Sequence, residues 1–181
     1  MLYRVMDKRE LPKLVRAFME SYEVVAPVKR GGAYVFDAIG APEEIELDYT
    51  TTSSSPKKYL MPPRETLMRF DAGMNLVEDY TEKVTPRVIF GVHTCDINAM
   101  NRLDVALLGG KYVDPYYQAR RDATLVVGIS CMPNENCFCH LWGADEALFG
   151  YDLFLHDIGE KYLVSMSSVE ATNIRLHRSE E

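Results

Sequence analysis

Three of the four cysteines stand within nine positions, in CMPNENCFCH at 131–140, and the fourth, Cys95, lies 36 residues upstream in GVHTCDINAM. Cys131, Cys137 and Cys139 follow the spacing Cys-x5-Cys-x-Cys. A fold that carries Cys95 to this loop would surround one pocket with four soft thiolates. Their mutual repulsion would call for a metal. Four cysteines suit either tetrahedral zinc or a cubane iron–sulfur cluster. Structural zinc knuckles usually come as paired CxxC, and this chain has none. Irregular spacing suits a cluster better, because each cysteine takes a different corner. His140 can replace one ligand in either case, and His93 can serve as a ligand or as a donor to a cluster sulfur. The competing readings are buried cysteines with no ligand, a histidine satisfied within its loop, and a thiol–disulfide sensor. The last lacks the CxxC at a helix N-terminus that such sensors use.

Whether the thiols meet depends on the elements that carry them. RVIFGV (87–92) and ATLVVGIS (123–130) are short, nearly continuous apolar runs of strand type. Between them INAMNRLDVALL places Ile97, Met100, Leu103 and Leu107 on one helical face. That pattern predicts a βαβ unit whose parallel strands are buried on both faces. Parallel strands end at a common carboxyl edge, where ligands gather in open α/β sheets. Cys95 follows the first strand by three residues and Cys131 directly follows the second, so they should face one another. The expected fold is α/β, a mixed sheet containing this unit, with the cysteines at the carboxyl edge.

The flanks complete the frame. Asp7 to Tyr22 reads as an amphipathic helix with Leu11, Leu14, Val15 and Phe18 at helical spacing, starting either at an Asp7–Glu10 capping box or, given Pro12, nearer Glu10. YEVVAP and GAYVFDAI read as two strands joined at Gly31-Gly32. YTTTSSSPKKYLMPPRE reads as a polar loop with little to pack, and RETLMRF as a short helix entered through proline. Asp96 is expected to cap the helix that follows it. YDLFLHDIGEKYLVSM should form a hairpin turning at Gly159. Residues 1–166 make the domain, and 167–181 a polar tail.

Other candidates weigh less. Arg120 and Arg121 can offset thiolate charge or simply form a solvated pair. Tyr116 and Tyr117 read as packing. No GxGxxG or GxxxxGK[ST] occurs, the zinc deaminase signature is absent, and no nucleophile–base set stands out. Catalysis by this chain alone is not expected. The 181 residues carry 47% hydrophobic and 26% charged side chains, with a net charge of −7. That balance suits one globular domain and disfavours nucleic acid or an anionic membrane as partner. The chain shows no signal peptide and no apolar run approaching the roughly 18 residues of a membrane span. It reads as cytoplasmic, with reduced thiols.

GVHTCDINAMNRLD, DPYYQARRD and CMPNENCFCHLWG resemble the N-terminal part of the iron–sulfur beta subunit of cytoplasmic sulfhydrogenases. The corresponding iron–sulfur subunit of anaerobic sulfite reductase shares the pattern. PVKRGGAYVF, KKYLMPPRETLMRF and GYDLFLHDIGEKYLV fit as well, so the resemblance covers roughly residues 20–165. It implies an electron-transfer subunit working between a flavoprotein and a catalytic subunit. It also implies one 4Fe-4S cluster on Cys95, Cys131, Cys137 and Cys139, against the alternative of a zinc-stabilised interaction module. Family members usually continue into a ferredoxin-like domain with CxxCxxCxxxCP runs. No such run occurs here, so either a stand-alone subunit or a piece of a longer polypeptide is expected. His140-Leu141 also replaces the small polar residues expected after CFC. An exposed apolar patch at Phe138, Leu141 and Trp142 is expected beside the thiols, with a core position for Trp142 as the alternative.

Overall fold

The computed structural model describes residues 2–79, 81 and 83–167. Nine strands are present among them: β1 (Leu2–Asp7), β2 (Glu23–Arg30), β3 (Ala33–Ala38), β4 (Met68–Phe70), β5 (Leu76–Asp79), β6 (Arg87–Val92), β7 (Thr124–Ile129), β8 (Leu153–Asp157) and β9 (Lys161–Met166). Three α-helices join them: α1 (Leu11–Met19), α2 (Thr94–Leu108) and α3 (Pro115–Asp122). Seven strands form one sheet in the order β1-β9-β8-β7-β6-β2-β3, and β4 and β5 form a separate ribbon. The neighbours β2, β6, β7 and β8 run parallel, while the outer pairings are antiparallel. This is the mixed sheet with a parallel βαβ unit that the apolar runs predict.

The central strands have almost no exposed position because both faces are covered. On one face Leu14, Val15 and Phe18 of α1 pack against Val88, Phe90, Val127, Ile129, Leu153 and Leu155. On the other, Ile97 and Met100 of α2 and Tyr117 of α3 pack against Ile89, Val126 and Phe154. Alternate residues of each strand serve opposite layers, as a two-residue period requires.

β6 breaks that alternation once. Val88 and Phe90 share the α1 face, yet Val92 joins the α2 face. The register shifts between Phe90 and Val92, and Gly91 sits there at φ +76°. A β-bulge at this point turns the chain's exit from the sheet toward the helical layer that follows. A Cβ on Gly91 would lie 2.6 Å from Leu47 Cδ2.

Several local expectations are corrected. The first helix takes the later of its two expected starts, at Leu11 with Glu10 as N-cap, after a 3-10 turn at Lys8–Glu10 capped by Asp7. Met68–Phe70, read as helical, is the strand β4. An Asx turn made by Asp71 with the amides of Gly73 and Asn75 closes it onto β5. The serine- and threonine-rich loop does pack: Tyr49 and Leu60 are buried in the core. The edge strand β1 and the helix α3 are additional elements, α3 being capped by Asp114 with Pro115 in its first turn. The hairpin of β8 and β9 turns at Gly159 as expected. The expected tail lies, except for Ser167, outside the described residues.

Gly91→Ala would force a β-carbon into a left-handed backbone and against Leu47. The expected cost is about 2–4 kcal/mol. Thermal unfolding should show a fall of roughly 5–15 °C in midpoint. Adding Leu47→Ala should recover only part of it, because the backbone strain remains.

Candidate metal centre

The bulge at Gly91 delivers the chain to His93, which has extended backbone and caps α2. His93 is buried and lies flat against Tyr49, ring centroids 4.0 Å apart. The Tyr49 hydroxyl donates to the Gly91 carbonyl at 2.8 Å, so strand exit and loop are tied together. Burial lowers the His93 pKa to about 4, which keeps the ring neutral at physiological pH. The helix starts at Thr94, so Asp96 lies inside the first turn and is not its cap. Its carboxylate accepts the Ser55 hydroxyl at 2.6 Å, from the same loop that supplies Tyr49.

Cys95 therefore stands in the first turn of α2, open to solvent on one side, at the carboxyl edge of β6. Cys131 follows β7 at the same edge. From there the chain takes an irregular path to β8, broken only by a 3-10 turn at Cys139–Trp142. Connections that long are uncommon unless they carry function. Asn134 closes a turn onto Cys137: its carbonyl accepts the Cys137 amide at 3.0 Å, and its own amide donates to the Cys137 sulfur at 3.4 Å. The Cys137 thiol donates in return to Asn134 Oδ1 at 3.3 Å. Gly143, left-handed, ends the 3-10 turn after Cys139.

Two asparagines on α2 hold the far end of this loop. Asn98 donates to the Glu146 carbonyl at 2.7 Å, and Asn101 to the Phe149 carbonyl at 3.1 Å. Gly150 passes so close that a β-carbon there would overlap the Asn101 side chain. The helix that presents Cys95 thus also anchors the loop carrying the other three thiols. Asn98 and Asn101 are not among the sequence candidates. Their spacing of three residues on one helix face, one turn beyond Cys95, is the signal that could have found them.

The thiols feel one another electrostatically. Partial burial raises the Cys95 pKa to about 11, with further contributions from Asp96, Cys131 and Cys139. Burial also raises the Cys131 pKa, the Thr94 hydroxyl and amide pull it down, and Cys139 and Cys137 push it up. All four cysteines are free thiols. Among the described residues, no three His, Cys, Asp or Glu side chains are gathered closely enough to hold a single metal ion as they stand. The soft groups at this edge are sulfurs, and a metal that bound them would have to displace their protons.

The arginines sit elsewhere. Arg120 pairs with Glu65 and donates to the Leu60 carbonyl, while Arg121 pairs with Asp104 at 3.1 Å. Both precede β7 and so lie toward its amino end, away from the cysteines, and both are engaged in ion pairs. Of the two readings of this pair, neither an offset to thiolate charge nor a merely solvated pair is met. His140 is exposed on the 3-10 turn. On the same β7–β8 connection Met132, Phe138, Leu141, Trp142, Leu148 and Phe149 are all exposed, Trp142 at 81%. The core alternative for Trp142 is excluded. No described helix is long and apolar enough to cross a membrane.

The beta subunit of sulfhydrogenase 2 from Pyrococcus furiosus is 36% identical to this chain over 170 residues, which is 94% of the chain. The chain spans 50% of that relative's length. No family model and no solved structure matches it. The resemblance to sulfhydrogenase beta subunits carried by the cysteine motifs is borne out.

With a pKa of about 11 the Cys95 thiol should react slowly in metal-free protein. Its lower thiolate fraction at neutral pH is only partly offset by greater intrinsic nucleophilicity. Alkylation on the order of ten- to a hundredfold slower than for a free cysteine is expected. Mass spectrometry of timed iodoacetamide labelling should show the rate still climbing above pH 9. A rate already level by pH 9 would contradict the crowding described here.

Proposed function

We propose that this chain is an electron-transfer subunit of an oxidoreductase complex of hydrogenase or sulfite-reductase type. It would hold one 4Fe-4S cluster on Cys95, Cys131, Cys137 and Cys139, within a domain spanning residues 1–166. The observation that carries the reading is the meeting of two cysteine segments at one sheet edge, in a chain similar to a sulfhydrogenase beta subunit. When bound, such a cluster supplies one-electron transfer. The protein's own contribution is to fix the donors. The first turn of α2 sets Cys95, the Asn134 turn sets Cys137, and the 3-10 turn sets Cys139.

The surroundings support a relay role over a catalytic one. No nucleotide-binding loop motif occurs in this sequence, and the relay proposed here would take and pass its electrons through neighbouring protein. Six large apolar side chains stand in water on the loop that carries three of the cysteines. Exposed apolar patches of that kind mark interaction sites, and Trp142 and Phe138 are of the type enriched at interfaces. Flavoprotein and catalytic subunits are the proposed partners. Reduced thiols support a cytoplasmic location.

Anaerobic purification should yield brown protein with about four irons and four sulfides per chain, bleached by reduction. Cys95→Ser should lose the cluster as readily as Cys137→Ser or Cys139→Ser. Colourless protein with stoichiometric zinc would replace this reading with a zinc-stabilised interaction module. The chain should also co-purify with a larger oxidoreductase, and Phe138→Asp or Trp142→Asp should weaken that assembly at least tenfold. Direct reduction of an isolated monomer by NAD(P)H would overturn the relay role.

A further inference from the structure

The ribbon of β4 and β5 has two unlike faces. Met68 and Phe70 alternate with Arg69, so they point to one side and Arg69 to the other. Arg69 shares its side with its cross-strand partner Glu78, 3.8 Å away, and Lys83 reaches the same carboxylate at 2.8 Å. The register shift between Arg69 and Phe70 sets Leu76 opposite Phe70 and leaves Val77 as the extra residue beside Glu78. Alternation turns Val77 away from Glu78, and Leu76 shares the face of its partner Phe70. One face is therefore charged, and the other is made of Met68, Phe70, Leu76 and Val77.

The apolar face is bare. All four side chains are exposed, Phe70 at 54% and Val77 at 60%, and the two strands pair only with each other among the described residues. A lone two-stranded ribbon is marginally stable in water, yet the Asp71 turn gives this one a defined tip. Met74 stands at that tip, 78% exposed, at φ +62°. Glycine adopts such a backbone freely and methionine does so at a cost.

Size and charge decide the occupant. About half of each of these side chains, with Leu67 and Met74 beside them, stands in water, on the order of 600 Å² of apolar surface on one ribbon. Stacked on its own copy the ribbon would bury about twice that, just above the roughly 1,000 Å² that a specific interface needs. Arg64 stands at the base of the ribbon, exposed and in no ion pair among the described residues, beside Glu65, which Arg120 holds. The Asp71 carboxylate stands exposed at the opposite end. A twofold axis that lays one ribbon antiparallel on the other carries each Asp71 toward Arg64 of the other copy, twice over. A different protein would have to supply both charges in place; a second copy has them by symmetry.

We propose that this chain forms a twofold dimer through the apolar face of the β4–β5 ribbon, the two ribbons stacked antiparallel. The surface precedes β6 in the chain, apart from the β7–β8 connection proposed for redox partners, and the dimer does not depend on what the thiols hold.

Analytical ultracentrifugation of the whole chain over about 1–100 μM tests it. Wild type should pass from monomer to dimer within that range. Phe70→Asp and Val77→Asp should each raise the dissociation constant at least about tenfold. Their thermal unfolding when dilute should stay near wild type, because neither side chain belongs to the core. Arg64→Glu should weaken the dimer several-fold, and less so at high salt. Hydrogen exchange of residues 68–79 should slow as protein concentration rises. Wild type that stays monomeric throughout would overturn the proposal and leave the face to a different protein. A dimer that survives both aspartate variants, or exchanges at 68–79 as the monomer does, would overturn it equally. A dimer lost in Phe70→Asp yet unchanged in Arg64→Glu would overturn the antiparallel arrangement.

Discussion

The corner between β6 and α2 is the constraint on which the site depends. A strand alternates its side chains between two layers, and β6 has to deliver its final residues to the α2 layer. The bulge at Gly91 changes that parity by one residue. Without it Val92 would point at α1, and the helix bearing Cys95 would start from the wrong face. The loop at 49–55 locks this exit through the Tyr49 bond to Gly91, the Tyr49–His93 stack and the Ser55 bond to Asp96. His93 is thus part of the corner's packing, buried beneath the ring of Tyr49.

A second dependence runs through α2. One helix carries a thiol on its first turn and bonds two loop carbonyls from its next turns. Displacing it would move Cys95 and release the cysteine loop together. Charge is arranged with the same economy: the arginines that precede β7 close ion pairs away from the cysteine edge. Neither guanidinium is left to stabilise the ionised forms of the thiols.

The central strands and their helix are legible because burial on both faces writes itself as unbroken apolar runs, and the meeting of Cys95 with Cys131 follows from strand direction alone. Elements with no buried face are harder to read. β1 buries only Met6, so its sequence carries no two-residue period. β4 is wholly exposed, and Phe70 with Leu67 just before the strand, three residues apart, mimics a helical face after a proline. The Asx turn at Asp71 is the better guide. α3 announces itself through Asp114-Pro115, a cap followed by proline, which outweighs the polar composition of the segment. Asp96 looks like a cap because it is the first acidic residue before the apolar stripe. The extended backbone at His93 moves the start of the helix three residues earlier, and that depends on the bulge, a tertiary feature.

The sheet sorts the four thiols into two kinds by the distance each must travel. Cys131, Cys137 and Cys139 are neighbours along the chain and need only local turns to approach one another. Cys95 reaches the same sheet edge only after β6 and β7 have paired, and closing that longer loop in a disordered chain costs about 1.6 kcal/mol more. On the proposed ligand set, the three clustered thiols would be available to a thiophilic ion before folding and Cys95 only after it. Cys95 would then separate a finished fold from an unfinished one, a checkpoint on assembly.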